Sequence, residues 1–297
     1  MEQTSLLDDA ADLDVSALPE PLWVGTSSFS TPDWVGSFYP RGAKPGEYLS
    51  HYARRLRTVE IDATWHAMPR RQMVEGWAPK VPEGFRFALK VPKIITHERE
   101  LVDCGDVWRQ FHGLTALLGE KRGPLLLQFP YFAKARDAEE YRTGARFRAR
   151  LERFLDQVGD PGELVVEVRN ERWIAEPLVE LLRDRGIALA LVSYYTMPHP
   201  AKLSERLDLV TAPFAYVRFL GDHKRMDKLV AEARRTRGKR RDWDELIVDR
   251  RDETRSWVPV LRDLIARTER VYVYYNNHYA GYAPESIAIL NDVWVSS

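Results

Sequence analysis

The sequence is poor in the features that mark several large classes of protein. It contains one cysteine, Cys104, so no internal disulfide can form, which is typical of a protein in the reducing cytoplasm. No apolar run approaches the roughly 20 residues that a membrane-spanning helix needs. Lysine and arginine total 44 and aspartate and glutamate also total 44. The net charge of zero therefore gives no whole-molecule attraction to nucleic acid or to membranes.

Familiar cofactor and nucleophile motifs are also missing. No G-x-G-x-x-G turn follows an early strand, and neither a Walker phosphate loop nor a G-x-S-x-G elbow occurs. No H-E-x-x-H, H-x-H or paired-cysteine spacing is present, so we predict no dedicated metal site, although ligands gathered from separate loops stay open. The sequence therefore leaves the cofactor unknown.

The first 20 residues differ from the rest of the chain. Their acidic residues include Asp8, Asp9, Asp12 and Asp14. A secretory signal would carry a basic stretch there, and none is present. Because few of these residues could pack, we predict a flexible acidic tail over residues 1–20 and a single barrel domain over residues 21–297.

Short apolar runs alternate with amphipathic helical stretches along the rest of the chain. The first seven predicted strands are Leu22–Ser27, Thr58–Asp62, Phe85–Val91, Gly123–Phe129, Leu164–Arg169, Ala188–Ser193 and Phe214–Gly221, and the eighth begins at Val271. Such alternation is typical of a parallel sheet covered by helices. Eight units in 297 residues predict an α/β fold, a single TIM-type (β/α)8 barrel with parallel strands.

Polar residues lie late in nearly every predicted strand. They are Glu60, Lys90, Gln128, Glu167, Arg169, Ser193, Arg218, Asn276 and Asn277. A charge in a strand that is buried on both faces must be paired or lie at an open end. Barrel enzymes place their chemistry at the C-terminal ends of the strands. We therefore predict a ring of polar side chains around this mouth, with two carboxylates facing three cations.

Four residues of this region are candidates for catalysis. Glu60 and Glu167 could act as general acid and base if their environments separate their pKa values; the alternative is that both are simply ionised in salt bridges. Lys90 could act as a nucleophile or polarise a substrate oxygen. His97 follows a strand end, as do His66 and His278, and could shuttle protons. A histidine in a loop is also often a surface or packing residue.

Other residues are candidates for binding. Arg169 and Arg218 are predicted to hold an anion; the alternative for Arg218 is that it only pairs with Glu167. The polar groups that could help are Gln128, Asn276, Asn277, His278 and Gly281, most of them in the loop where such barrels often bind phosphate. Aromatic rings suited to stacking on a sugar or a base include Trp65, Trp173 and Tyr275. The alternative is that these rings cap the hydrophobic end of the barrel.

A basic segment follows the seventh strand. Residues 224–241 contain nine lysines and arginines against Asp227 and Glu232. At the mouth, such a segment could steer a nucleic acid or another anion. The alternative is a solvated helix followed by a loop.

Seven motifs in this order also point to a known family. They are WVGTSSFSTPDWVGSFYP, TVEIDATWHAMP, FALKVPKIITH, GPLLLQFP, VVEVRNERW, YVRFLG and VYVYYNNHYAGYAP. Over about residues 22–294 the chain resembles the DUF72 family of YecE-like proteins. The resemblance implies a β/α barrel and no established activity. The positions that it implies recur in the family are Glu60, Lys90, His97, Gln128, Glu167, Arg169, Arg218, Asn276, Asn277 and Gly281.

The chain also departs from that family in three places. Residues 62–66 read Asp-Ala-Thr-Trp-His where the family more often has Asn-Ser-Thr-Phe-Tyr. The family commonly has histidine near Asn170 and Leu220, and the basic segment after Gly221 is unusual.

Our leading hypothesis is a cytoplasmic barrel enzyme that acts on a small anionic or sugar-like substrate by acid–base chemistry. Hydrolase, lyase and isomerase reactions all stay open, as does the oligomeric state. Two alternatives come from other classes. One is a protein that binds or processes nucleic acid through the basic segment and the aromatic rim, and the other is a barrel that binds a ligand without turnover.

Overall fold

A computed structural model describes residues 13–132, 139–238 and 241–297. Its strands are β1 (Leu22–Thr26), β2 (Thr58–Ile61), β3 (Arg86–Lys90), β4 (Arg122–Gln128), β5 (Leu164–Glu167), β6 (Ala188–Tyr194), β7 (Phe214–Gly221) and β8 (Arg270–Tyr275). All the pairings are parallel, and the strand order is β1-β8-β7-β6-β5-β4-β3-β2. This order is that of a nearly closed barrel, so the prediction of a TIM-type (β/α)8 fold is confirmed.

Helices connect successive strands and cover the barrel. The α-helices are α1 (Tyr48–Tyr52), α2 (Ala63–His66), α3 (Arg71–Glu75), α4 (Gly105–Thr115), α5 (Glu139–Arg142), α6 (Ala145–Val158), α7 (Glu176–Asp184), α8 (Pro200–Ser204), α9 (His223–Arg237), α10 (Arg251–Arg267), α11 (Asn277–Ala280) and α12 (Ala283–Val295). Short 3₁₀ segments occur at Pro32–Trp34, Ala78–Lys80, Ala116–Lys121 and Glu171–Trp173, and Ile94–Glu98 forms a π-helical turn. In the described ranges, no helix is both long and apolar enough to cross a membrane.

The seam of the barrel lies between β1 and β2. A Cβ atom added to Gly25 would lie 2.3 Å from the carbonyl oxygen of Thr58, so the two backbones approach more closely than any side chain permits. The hydroxyl group of Tyr52 joins the strands there. It accepts a hydrogen bond from the Thr26 backbone nitrogen at 2.8 Å and donates one to the Thr58 carbonyl oxygen at 3.0 Å.

The interior of the barrel is arranged in layers because alternate residues of a strand face the same way. One inner layer is apolar and aromatic and includes Ala88, Leu126, Val165 and Tyr216. Moving two residues along each of these strands leads to Lys90, Gln128, Glu167 and Arg218. The polar residues therefore lie above a filled core, towards the C-terminal ends of the strands.

The N-terminal segment is packed where the structure describes it. Leu13, Val15 and Leu18 contact the core, and the backbone nitrogen of Ala17 donates to Asn291 Oδ1 at 3.0 Å. Leu13, Val15, Ala17 and Leu18 of the predicted tail therefore contact the barrel, and the flexible tail over residues 1–20 stays a prediction. Residues 1–12 lie outside the described residues.

Candidate functional site

Two glutamates and an arginine form a buried ion-pair cluster in the C-terminal halves of β2, β5 and β7. Arg218 Nη1 donates to Glu167 Oε2 at 2.7 Å, and Arg218 Nη2 donates to Glu60 Oε1 at 2.6 Å. The hydroxyl of Tyr216 donates to Glu60 Oε2 at 2.6 Å. The side chains of Glu60 and Glu167 are 0% exposed and that of Arg218 is 1% exposed. We call Glu60, Glu167 and Arg218 the Arg218 cluster.

Three further charged residues lie between the Arg218 cluster and the opening of the barrel. Arg169 Nε donates to Glu167 Oε1 at 2.5 Å. Asp62 Oδ1 lies 3.6 Å from Lys90 Nζ and 3.5 Å from Arg218 Nη2. The side chains of Arg169, Lys90 and Asp62 are 10%, 12% and 29% exposed. We call Asp62, Lys90 and Arg169 the upper layer, because they are more exposed than the residues of the Arg218 cluster.

Asp62 is the member that our sequence reasoning missed. The reasoning counted two carboxylates against three cations, and Asp62 makes the count three against three when all six groups are ionised. A signal was available, because Asp62 follows Glu60 by two residues and so points the same way. The same spacing had correctly placed Glu167 and Arg169 together.

The two buried glutamates have pKa values displaced in opposite directions. Burial favours the neutral form of both carboxyl groups. At Glu167 the effect of burial is outweighed by the charges of Arg169 and Arg218, which lower its pKa to about 2. At Glu60 burial outweighs the effect of Arg218, and the nearby charge of Asp62 adds to burial, so its pKa is raised. The two pKa values are therefore separated, and general acid–base roles for Glu60 and Glu167 stay a prediction.

His97 lies beside the upper layer. The π-helical turn after β3 places Thr96 Oγ1 at 2.8 Å from His97 Nδ1, and the imidazole contacts the edge of Trp65 at a centroid distance of 5.0 Å. Burial, followed by the charges of Lys90 and Arg169, lowers the pKa of His97 to about 4. The ring is therefore neutral at pH 7. Trp65 also contacts Lys90, whose Nζ lies 4.9 Å from the ring centroid.

The arginine predicted to bind an anion is instead occupied by protein groups. Both terminal nitrogens of Arg218 donate to buried glutamates, so Arg218 pairs with Glu167, as the alternative interpretation allowed, and with Glu60 as well. Arg169 differs, because only its Nε is used for Glu167 and its guanidinium lies 3.9 Å from the ring centroid of Tyr194. Of the two predicted anion ligands, only Arg169 reaches the opening.

Two predicted stacking residues are buried in the layer between strands and helices. Trp173 stacks on Phe132 at 5.0 Å and on Phe147 at 4.8 Å. Tyr275 stacks on Phe219 at 4.4 Å. Both rings are packed in the core, and Tyr275 also lies on the wall of a cavity at the ends of β1 and β8. Trp65 is half-buried and lies at the mouth as predicted.

Two other predicted binding residues have local structural roles. Gln128 is buried and donates from Nε2 to the carbonyl oxygen of Phe129. Gly281 has a φ of +107°, and a Cβ atom there would lie 2.6 Å from the side chain of Ile247. The backbone of this turn therefore requires glycine, whether or not a ligand binds beside it.

The loop after β8 lines a cavity of about 160 Å³ between the ends of β1 and β8. Residues on its wall include Ser28, Asp62, Trp243, Asn276, Asn277 and His278. Asn276 Oδ1 accepts from the backbone nitrogen and from Nδ1 of His278, both at 2.9 Å. Asn277 Oδ1 accepts from the backbone nitrogen of Ala283 at 3.0 Å. This β1–β8 cavity adjoins the upper layer at Asp62, which belongs to both.

The basic segment is partly neutralised by its own neighbours. Arg234 and Arg237, near the end of α9, pair with Asp242 at 2.6 Å and with Glu245 at 3.9 Å. Arg241 donates to the carbonyl oxygen of Val35. Residues 239 and 240 lie outside the described residues. Across the ranges that are described, no group of three or more His, Cys, Asp or Glu side chains is placed to hold a metal ion.

Comparison with known proteins places the chain among relatives of unknown function. YecE from Escherichia coli K12 is 29% identical over 168 residues, which cover 56% of this chain and 55% of YecE. YunF from Bacillus subtilis is 25% identical over 166 residues, which cover 54% of each protein. The chain thus matches about half the length of these curated relatives.

Solved structures agree with the fold. The crystal structure of a DUF72 family protein from Thermotoga maritima has a TM-score of 0.68 and 26% identity, and the match covers 93% of this chain and 99% of that one. A DUF72 family protein from Enterococcus faecalis has a TM-score of 0.66 at 20% identity, over 93% and 96% of the two chains. The family model described as "Protein of unknown function DUF72" matches residues 23–296, so the chain belongs to the DUF72 family.

Proposed function

We propose that the chain is an enzyme that binds a small anionic substrate at the C-terminal mouth of the barrel and transfers a proton there. The observation that carries this proposal is the upper layer, in which Lys90 and Arg169 reach the opening above the Arg218 cluster. Barrel enzymes build their active sites at this end. Hydrolase, lyase and isomerase reactions all remain compatible with this arrangement.

Two features support the binding of an anion. Arg169 is fixed by Glu167 through Nε, and its terminal nitrogens donate to no described residue, so they are available for a two-point contact with a carboxylate or a phosphate. The pKa of His97 is lowered mainly by burial, and the charges of Lys90 and Arg169 lower it further, so the two cations contribute a positive potential beside its ring. The positive charge that disfavours protonation of the imidazole attracts an anion placed beside it.

The proton transfer can be assigned by accessibility. Glu60 and Glu167 are fully buried with both oxygens of each hydrogen-bonded, so either could act as acid or base only if one of its partners moves away. Asp62 and the neutral imidazole of His97 already reach the mouth and need no such movement. We assign proton transfer to this pair and the orientation of Arg169 to the buried Glu167.

The nucleic-acid alternative is supported less well. Three of the basic residues after β7 already have protein partners, which reduces the charge available to a phosphate backbone. A cytoplasmic location remains our inference from Cys104, whose buried free thiol suits a reducing compartment.

Calorimetric titration with inorganic phosphate tests the anion site. We expect Lys90→Met and Arg169→Met each to weaken binding about tenfold or more, which corresponds to about 1.4 kcal/mol or more. Lys93→Met is the matched control, because Lys93 forms an exposed pair with Glu98 at 3.4 Å. Equal binding by all three variants would contradict the proposal. A metabolite screen followed by NMR distinguishes an enzyme from a barrel that only binds a ligand. A ligand that binds without turnover would identify a non-catalytic barrel.

A further inference from the structure

The β1–β8 cavity presents polar groups whose hydrogen-bonding capacity is only partly used. Both cations that contact Asp62 do so through Oδ1, and no described residue bonds to Oδ2. Asn276 and Asn277 use their Oδ1 atoms for backbone groups and His278, and no residue in the described ranges accepts from their Nδ2 groups. Ser28 Oγ accepts from the backbone nitrogen of Ser30 at 3.1 Å and keeps its own proton for another acceptor.

These groups are a mixture of donors and acceptors. A carboxylate oxygen only accepts, whereas an amide NH₂ group only donates. A hydroxyl group does both, so a ligand with several hydroxyls matches such a wall better than a second anion or an apolar group would. An anion would in addition be repelled by Asp62.

The cavity also has one apolar wall and a defined size. Trp243 is half-buried and packs on His278 at a centroid distance of 4.6 Å, so its ring is suited to the C–H face of a hydroxylated carbon chain. The cavity volume of about 160 Å³ is well above the roughly 10–15 Å³ that one water needs. This space suits a small hydroxylated segment of a ligand.

We propose that the β1–β8 cavity binds a hydroxylated, uncharged part of the substrate, and that Asp62 Oδ2 accepts a hydrogen bond from one of its hydroxyl groups. This inference rests on the proposed anion site, because Asp62 lines the cavity and its Oδ1 lies 3.6 Å from Lys90 Nζ. A ligand that occupies both places is a polyhydroxylated anion, the class that includes sugar acids and sugar phosphates. Asp62 then determines specificity for a hydroxyl beside the anionic group.

Two probes of equal chain length test the inference. D-Gluconate and hexanoate are both six-carbon carboxylates, and they differ in the five hydroxyl groups of gluconate. In calorimetric titrations of the full chain we expect gluconate to bind about tenfold tighter or more, the gain that one hydrogen bond to a charged group supplies. Equal affinities would overturn the inference and leave the anion site intact. If neither probe binds, the anion site fails and the inference fails with it.

Asp62→Asn separates hydroxyl recognition from simple charge. The variant keeps the shape of the side chain but replaces one acceptor oxygen with a donor, and it also removes a negative charge from the mouth. Hexanoate should therefore bind as well as before or more tightly, while the advantage of gluconate falls to about threefold or less. Glu98→Gln, a change on the exposed surface, is the control and should alter neither affinity. If Asp62→Asn keeps the full gluconate advantage, Asp62 does not recognise the hydroxyl. The wild-type comparison decides the inference even if this variant fails to fold.

Discussion

A glutamine at position 167 keeps the shape of the side chain and removes its charge. Glu167→Gln therefore isolates the electrostatic part of the Arg218 cluster. The pKa of Glu167 is lowered from 4.5 to about 2 in the folded chain. Because the folded pKa lies below the unfolded value, ionisation of Glu167 stabilises the fold above about pH 4.5, and this stabilisation is lost as the pH falls towards 2.

The size of the effect follows from the same displacement. A lowering from 4.5 to about 2 corresponds to about 3 kcal/mol of the free energy of unfolding at neutral pH. Near pH ~3.5 roughly 1 kcal/mol of this contribution has gone, because the folded state is still ionised while the unfolded state is already mostly protonated. Urea denaturation between neutral pH and pH ~3.5 should therefore show that Glu167→Gln lowers the free energy of unfolding, relative to the wild type, least at the acid end.

Glu60→Gln is the matched variant for this experiment, because the pKa of Glu60 is displaced in the opposite direction. Because the folded pKa of Glu60 lies above its unfolded value, the contribution of Glu60 to the free energy of unfolding of the wild type falls as the pH rises from the unfolded to the folded pKa. Relative to the wild type, Glu60→Gln should gain stability with rising pH, whereas Glu167→Gln should lose it. Parallel pH profiles for the two variants, or a Glu167→Gln loss that does not change with pH, would refute this account of the cluster.

Three other predictions concern the seam and the mouth. Tyr52→Phe removes the hydroxyl that joins two buried backbone groups across the seam, so the free energy of unfolding should fall by about 2–4 kcal/mol in urea; an unchanged value would show that the seam needs no bridge. Gly25→Ala places a methyl group against the backbone of Thr58 and should lower the free energy of unfolding by about 3 kcal/mol or more. Gly84→Ala is the control, because its added methyl group meets open space. In a proton NMR titration His97 should have a midpoint near pH 4, and Lys90→Met should raise it; a midpoint near 6.5 in both proteins would contradict the positive potential.

The barrel could be predicted from the sequence because its physical cause is local. Strands buried on both faces must be apolar throughout, so each one appears as a short uninterrupted run, and any charge is displaced towards an end. The two-residue period then places Glu167 and Arg169 on one side. The same rule applied to Glu60 would have added Asp62 to the predicted site. Applied to Tyr274 and Tyr275, it places only one of the two rings inside the barrel. The structure has Tyr274 within the inner layer and Tyr275 outside it.

Other parts of the site depend on contacts between distant segments. The loop after β3 holds His97 in a π-helical turn and then places Glu100, Leu101 and Asp103 at positive φ angles of 46°, 67° and 48°. L-residues adopt this region only when their surroundings compensate for the strain. The surroundings here include an ion pair from Glu100 to Arg150 and the burial of Leu101. No local pattern in the sequence encodes such a turn.

The Arg218 cluster is not the arrangement that stability alone favours. Removing two carboxylates and a guanidinium from water costs several kcal/mol per ion, and apolar residues of similar volume are often as stable or more so. The layer below shows that this barrel can be filled by aliphatic and aromatic side chains. The buried charges fix the orientation of the residues above them. Glu167 orients Arg169, and Arg218 contacts Asp62; Arg169 and Asp62 are the partly exposed members of these pairs. The buried charges lie between the apolar inner layer and the partly exposed residues of the upper layer. This position is the one that we expect of charges that support a binding site.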